Sequence, residues 1–167
     1  MPYNSDDDIP IHPATMRGRD WPCLRQFCLI VENRVGRLHE LLKHLEKHDL
    51  RIVALSIVDT TDYSVIRVMV DDPDRVRETL SLSGFMFLEN DILGVELPDE
   101  TDPFGMIFRT LMAAEINIAY TYPILYRRAR RGAIAIHVDN METARQILQD
   151  HGFHLLTEND LLSDDFF

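Results

Sequence analysis

The first regular alternation along the chain begins at Arg25. Phe27, Leu29 and Val31 interleave with Gln26, Cys28 and Ile30, a period-two pattern that predicts a strand with one wholly apolar face and one mixed face. Asn33 to Gly36 interrupts it as a turn, and the period then changes. Leu38, Leu41, Leu42 and Leu45 recur at helical spacing while Arg37, Glu40, Lys43 and Lys47 occupy the other faces, so an amphipathic helix is expected to end near His48. Two β-rich runs follow, Arg51 to Asp59 and Tyr63 to Asp71, joined as a hairpin by Thr60, Thr61 and Asp62. Asp72 before Pro73 reads as an N-cap and a first-turn proline, Val76 and Leu80 mark the inner face of a second helix, and Gly84 stops it. Phe85 to Leu88 closes the unit as a strand, giving the order βαββαβ.

The same grammar returns. Leu38, Leu41, Leu45 and Ile52 reappear as Phe104, Ile107, Leu111 and Ile118, 66 residues on; Ile66, Val68, Gly84 and Phe85 reappear as Ile134, Ile136, Gly152 and Phe153, 68 residues on. Glu89-Asn90-Asp91 recurs as Glu158-Asn159-Asp160. The added residues between the first two offsets must lengthen the second hairpin. The expected organisation is therefore an extended or disordered arm at 1–24, a first module at 25–90, a second at 91–160 and a tail at 161–167. Each βαββαβ unit predicts an α+β, ferredoxin-like module, an antiparallel sheet with both helices on one face. The other face would carry Cys28, Ile30, Val53, Leu55, Ile57, Val65 and Met69. So much apolar surface needs a cover, most simply a second copy, making a homodimer through the sheet faces.

Composition narrows the function. The 167 residues are 46% hydrophobic, with 28 acidic against 17 basic side chains and a net charge of −11. Such a surface repels nucleic acid and anionic membranes. No apolar run approaches the ~20 residues of a membrane span, and the acidic N-terminal stretch is unlike a leader, so a cytoplasmic address is expected. Cys23 and Cys28 are too few and too close for a disulfide framework. Nucleotide-binding glycine loops, nucleophile elbows and Cys-x-x-Cys pairs are absent from the sequence, so neither catalysis nor a cofactor is expected. Glu40, His44 and His48 share helical spacing that suits a metal, but no further ligand accompanies them; the solvated flank of the helix is the simpler reading and no metal is expected.

The run Val31-Glu32-Asn33-Arg34-Val35-Gly36-Arg37-Leu38, followed by Leu41, Leu42, Leu45 and the strand Leu50-Arg51-Ile52, resembles the first turn of the ACT domain. That small amino-acid-sensing module typically reads Asn/Asp-x-Pro-Gly-x-Leu there, and Val35 stands at the proline position. Element order and tandem duplication extend the resemblance over residues 25 to 160, to stand-alone tandem ACT proteins without a catalytic domain. The resemblance implies two sheets side by side as one of eight strands. It also implies a free amino acid bound where the first turn of one module meets its neighbour, with occupancy passed to a partner enzyme. The alternative it implies is a regulatory subunit like the acetolactate synthase small subunit, with no ligand of its own.

The site would comprise Asn33, Arg34, Val35, Gly36, Arg37 and Leu38. Backbone N–H groups at Gly36, Arg37 and Leu38 suit an α-carboxylate, and the Asn33 side chain can accept from an α-ammonium. Asn33 and Gly36 can equally serve only as a tight turn. In the second copy Asp102 replaces Gly36, where its carboxylate would cap the helix and repel a ligand's own. Tyr120 and Tyr122 replace Ala54 and Ser56 and either cover the first site or fill core space. Arg127, Arg128, Arg130 and Arg131 crowd the tip of the second hairpin. Such a run is either solvated or a landing point for an acidic protein surface.

Overall fold

The computed structural model describes residues 18–162; the expected arm up to residue 17 and the tail from residue 163 lie outside the described residues. The alternation at the start of the chain becomes β1 (Leu24–Glu32), and the leucine-spaced run becomes α1 (Arg37–Lys47). The first hairpin is β2 (Ile52–Asp59) and β3 (Tyr63–Val70), followed by α2 (Pro73–Ser83) and β4 (Phe87–Glu96). The second copy supplies α3 (Pro103–Ala113), β5 (Ile118–Arg128), β6 (Arg131–Val138) and α4 (Met141–Asp150), and α5 (Glu158–Leu162) ends the described chain. Local chemistry sets the boundaries of α2 as expected: Asp72 accepts from the Arg75 N–H and Gly84 ends the helix in the left-handed region at φ 78°; Asn140, not singled out from sequence, likewise caps α4 by accepting from the Thr143 N–H.

Among the described residues the antiparallel strands form one sheet of six in the order β2-β3-β1-β4-β6-β5, not the eight implied by the resemblance. The difference lies in β4. Its Phe87–Ile92 segment pairs with β1, and Leu93–Glu96 pairs with β6, so one strand closes the first module and opens the second. Glu89-Asn90-Asp91 at the expected boundary contains neither Gly nor Pro, and nothing there ends the strand. Where the second module would close with a strand of its own, Leu155 makes a single bridge to Val95.

Three cores result. Phe27, Leu29 and Val31 pack with Leu41, Leu45, Val76 and Leu80 between the first half of the sheet and α1/α2. Leu93, Ile134 and Ile136 pack with Ile107, Leu111 and Leu148 between the second half and α3/α4. The third core joins the two helix-free faces: Leu24, Val53, Ala54 and Met69 from the first module meet Tyr122, Ile124 and Tyr126 from the second. Much of the face expected to await a second copy is thus closed within the chain. A bulge between Ile52 and Ala54 adds a further correction. Beyond it Leu55 lies opposite Val68 and Ile57 opposite Ile66, both members of the helix-side core, so Leu55 and Ile57 lie on that side too. The second copy repeats the bulge between Ile118 and Tyr120. What stays uncovered on the helix-free face is a strip with exposed Ile30, Val58 and Leu88, in which Val65 stands opposite both Ile30 and Val58.

A charged cluster ties the last segment down. Arg25, 4% exposed, sets its Nε 2.8 Å from Glu158 and its Nη1 3.4 Å from both Glu89 and Asp74. Arg77 grips Glu89 with two 2.6 Å bonds. Burial alone would raise the Glu89 pKa, but the hydrogen bonds and charge of Arg77, helped by Arg25, hold it below the usual carboxylate range. The two copies of the Glu-Asn-Asp motif therefore converge on one arginine.

Candidate functional site

The turn after β1 is stitched to the tip of the first hairpin. The Asn33 N–H donates to the Asp62 carbonyl at 2.9 Å, and Asn33 Nδ2 donates to the Thr60 carbonyl at 3.0 Å. This fixes the amide so that Oδ1 faces no partner among the described residues. Arg34 donates its N–H to Glu32, and the Arg37 N–H returns to the Arg34 carbonyl at 3.3 Å. Gly36 then opens α1 at φ 94°, a conformation that costs glycine little and other residues more. No side chain caps this helix start. Of the three donors expected from sequence, the Arg37 N–H is engaged by the turn. Those of Gly36 and Leu38 have no partner among the described residues.

Beneath this turn is a crevice of about 180 Å³, roughly six water volumes. Asn33, Arg34, Arg37 and Leu38 line it from the turn and α1. The opposite wall is Ile57, Asp59, Ser64 and Ile66 of the hairpin, residues not singled out from sequence because the β2 bulge decides which side Ile57 faces. The signal available was the duplication, which places those positions beside the turn in both copies. Of the expected turn residues, Val35 and Gly36 do not line the crevice, and the Val35 side chain is fully exposed. Arg37 donates to Glu40 at 2.7 Å, and this bond holds the exposed Glu40 carboxyl below its ordinary range. The Ser64 hydroxyl donates to Asp59.

Tyr120 and Tyr122 are elsewhere. The structure places them on the helix-free face, stacked 6.4 Å apart, where buried Gln26 donates to the Tyr120 hydroxyl and accepts from that of Tyr122 at 2.6 Å. Arg67 lies 3.9 Å over the Tyr120 ring, and His137 stacks on the same ring at 4.9 Å. Of the two readings of these tyrosines, filling the space between the modules is the one their positions fit. Burial drives the Tyr122 pKa upward. Desolvation, with the Arg67 charge, lowers that of His137.

In the second copy the Asp102 carboxylate accepts from the Gly105 N–H at 3.0 Å and from Arg109 at 2.9 Å. It occupies the helix start that α1 leaves open. The Arg109 bond, then the Gly105 N–H, pull its pKa below the usual carboxylate value. Among the described residues no group of three or more His, Cys, Asp and Glu is placed to hold a metal ion, and no helix is long and apolar enough to cross a membrane.

The chain is thus a duplicated pair of ferredoxin-like modules that share strand β4 and face each other across their helix-free sides. The chain belongs to the ACT domain pair family, whose model matches residues 23–164. Among solved structures it is similar to protein BT0572 from Bacteroides thetaiotaomicron, with 26% identity, a TM-score of 0.77, and 84% of this chain and 96% of that one covered. It is also similar in fold to the regulatory subunit of aspartate kinase from Thermus thermophilus in its ligand-free form, at 13% identity, TM-score 0.53, with 77% of this chain and 93% of that one covered. No curated protein sequence matches the chain.

Proposed function

We propose that this ACT pair is a non-catalytic regulatory protein that binds a free amino acid at the first turn of module 1 and passes that occupancy to a partner enzyme. The observation that supports it most is the uncapped start of α1. Two unpartnered N–H groups, at Gly36 and Leu38, lie at the positive end of a helix dipole beside an open Asn33 Oδ1. A zwitterion matches that pair of polarities, and the small crevice suits a small side chain. Binding would favour one placement of the turn against the hairpin by its differential affinity, commonly ~1–3 kcal/mol.

The alternative, a docking subunit without its own ligand, would leave those donors to water. A thermal-shift screen of the amino acids at millimolar concentration tests the proposal, since a ligand binding only the folded chain raises the midpoint. At least one amino acid is expected to do so; none doing so sinks the reading. The same reading includes a cytoplasmic homodimer that covers the remaining strip at Ile30, Val58 and Leu88, and a monomeric mass by light scattering at micromolar concentration would refute the dimer.

A further inference from the structure

The crevice of module 1 has a counterpart, and the two differ in kind. Val31, Leu38, Ile57 and Ile66 recur at its lining as Leu97, Phe104, Pro123 and Ile134. The two polar wall residues are gone: Leu125 stands for Asp59 and Gly132 for Ser64. Leu125 is 72% exposed and Phe104 47% exposed, large apolar groups left uncovered at the mouth. The cavity continues to Val53 and Tyr126 and reaches about 1190 Å³, several times the module 1 crevice and more than a single small amino acid fills.

Its charges also differ: Glu32 and Asp59 balance Arg34 and Arg37 around the first crevice, whereas no carboxylate among the described residues lines the second. Arg127 and Arg130 line the rim, and neither has an ion pair or hydrogen bond among the described residues. The neighbouring carboxylates are already matched: Glu96 by Arg131 and the Tyr126 hydroxyl, Asp102 by Arg109, and Asp71 by Arg51. The two-residue turn that carries Arg130 is strained as well. Ala129 and Arg130 both sit at positive φ, 49° and 66°, where Gly or Asn is the ordinary choice. The hairpin thus keeps an arginine at a position where a glycine would be the more stable turn residue.

We infer that the module 2 crevice is a second site, for an apolar monocarboxylate whose hydrocarbon body covers Phe104 and Leu125 and whose carboxylate is held by Arg127 and Arg130. A helix start cannot serve as the anion site, because Asp102 fills it. The arginines take over that role, as planar donors suited to a carboxylate. Apolar walls exclude a polyphosphate or a sugar, which would leave most of the cavity unsatisfied.

Octanoate is the probe, titrated calorimetrically against the full chain with octylammonium as the charge-reversed control. Octanoate is expected to bind and octylammonium not to. Lengthening the acid from hexanoate to octanoate is expected to tighten binding about three- to fourfold per methylene, as full burial of each CH₂ requires. The pair Arg127→Gln/Arg130→Gly removes both charges while relieving the turn. It is expected to fold normally and bind octanoate at least tenfold more weakly. Leu125→Asp, which restores the residue of module 1 at an exposed position, is expected to abolish binding. Gly36→Asp, which blocks the module 1 site, leaves octanoate binding unchanged, so the two sites stand or fall separately. No octanoate binding by the parent, equal binding of octylammonium, or unaltered affinity in both the arginine and the Leu125 variants would overturn the assignment.

Discussion

Module 1 leaves the start of its first helix open above a small, polar crevice, whereas module 2 closes the same start with Asp102 and widens the crevice into an apolar cavity. The bulge in the second strand recurs in both copies, but the helix starts differ in backbone, with Gly36 left-handed at φ 94° and Asp102 at φ −131°. What has diverged is the source of positive potential. In one copy it is the peptide dipoles of α1, reachable only by a group small enough to touch the backbone. In the other it is a pair of long side chains on a lengthened hairpin, which can hold an anion several ångströms out. Duplication kept the frame and let a handful of side chains choose the chemistry.

The largest effect is expected where the two copies meet. Arg25→Met removes the cation 2.8 Å from buried Glu158, whereas half-buried Glu89 keeps Arg77, so stability to urea should fall by ~3–5 kcal/mol, chiefly through Glu158. A loss below ~1 kcal/mol would mean that the repeated glutamates do not depend on Arg25. Acid should produce a related effect. Glu89 is held below its unfolded pKa, so its contribution is complete above the ordinary carboxylate range and is lost as pH falls through its lower folded value. Urea midpoints followed downward from pH 6 should therefore decline through and below the ordinary carboxylate range, and less steeply in Arg77→Met. An unchanged slope in that variant would remove Arg77 as the cause.

Gly36→Ala and Gly36→Asp sharpen the comparison directly. Both place a side chain at φ 94° and should cost ~1–2 kcal/mol, but only the aspartate gives module 1 the carboxylate of module 2. Amino-acid binding by calorimetry should survive the alanine and vanish with the aspartate; survival of both would move the site away from the α1 start. The smallest effect runs the other way. Arg130→Gly should raise stability by ~0.5–1 kcal/mol, because glycine adopts the left-handed turn without strain. A destabilised variant would show that Arg130 makes a contact worth more than the strain it brings.

Much of the fold was legible in the residues. Asp72-Pro73 and Gly84 bracket α2 because capping and left-handed termination are local chemistry, and the duplication is visible wherever leucines and glycines repeat in register. The face assignment of β2 was not. Val53, Ala54 and Leu55 are consecutive and apolar, so alternation alone cannot say where the bulge falls, and one extra residue flips Leu55 and Ile57 to the other side. The closure of the helix-free faces on each other was hidden for a different reason. It depends on Tyr122 and Tyr126 meeting Val53 across the molecule, and a pattern read along one strand has no term for its distant neighbour. The candidate turn, by contrast, was readable at Asn33 and Gly36, although the hairpin wall opposite was not.

β4 has a consequence for how the chain could be divided. A cut beside Asn90 would leave the first piece with a truncated edge strand that lacks Ile92, the partner of Leu24. It would leave the second without the Phe87–Asn90 run that ties β4 to β1, and with β4 as an unpaired edge. Each piece would also expose its half of the inter-module core to water. Two copies that remain recognisable along the sequence thus lean on one strand and one core, and either one excised is expected to unfold at lower urea than the whole chain.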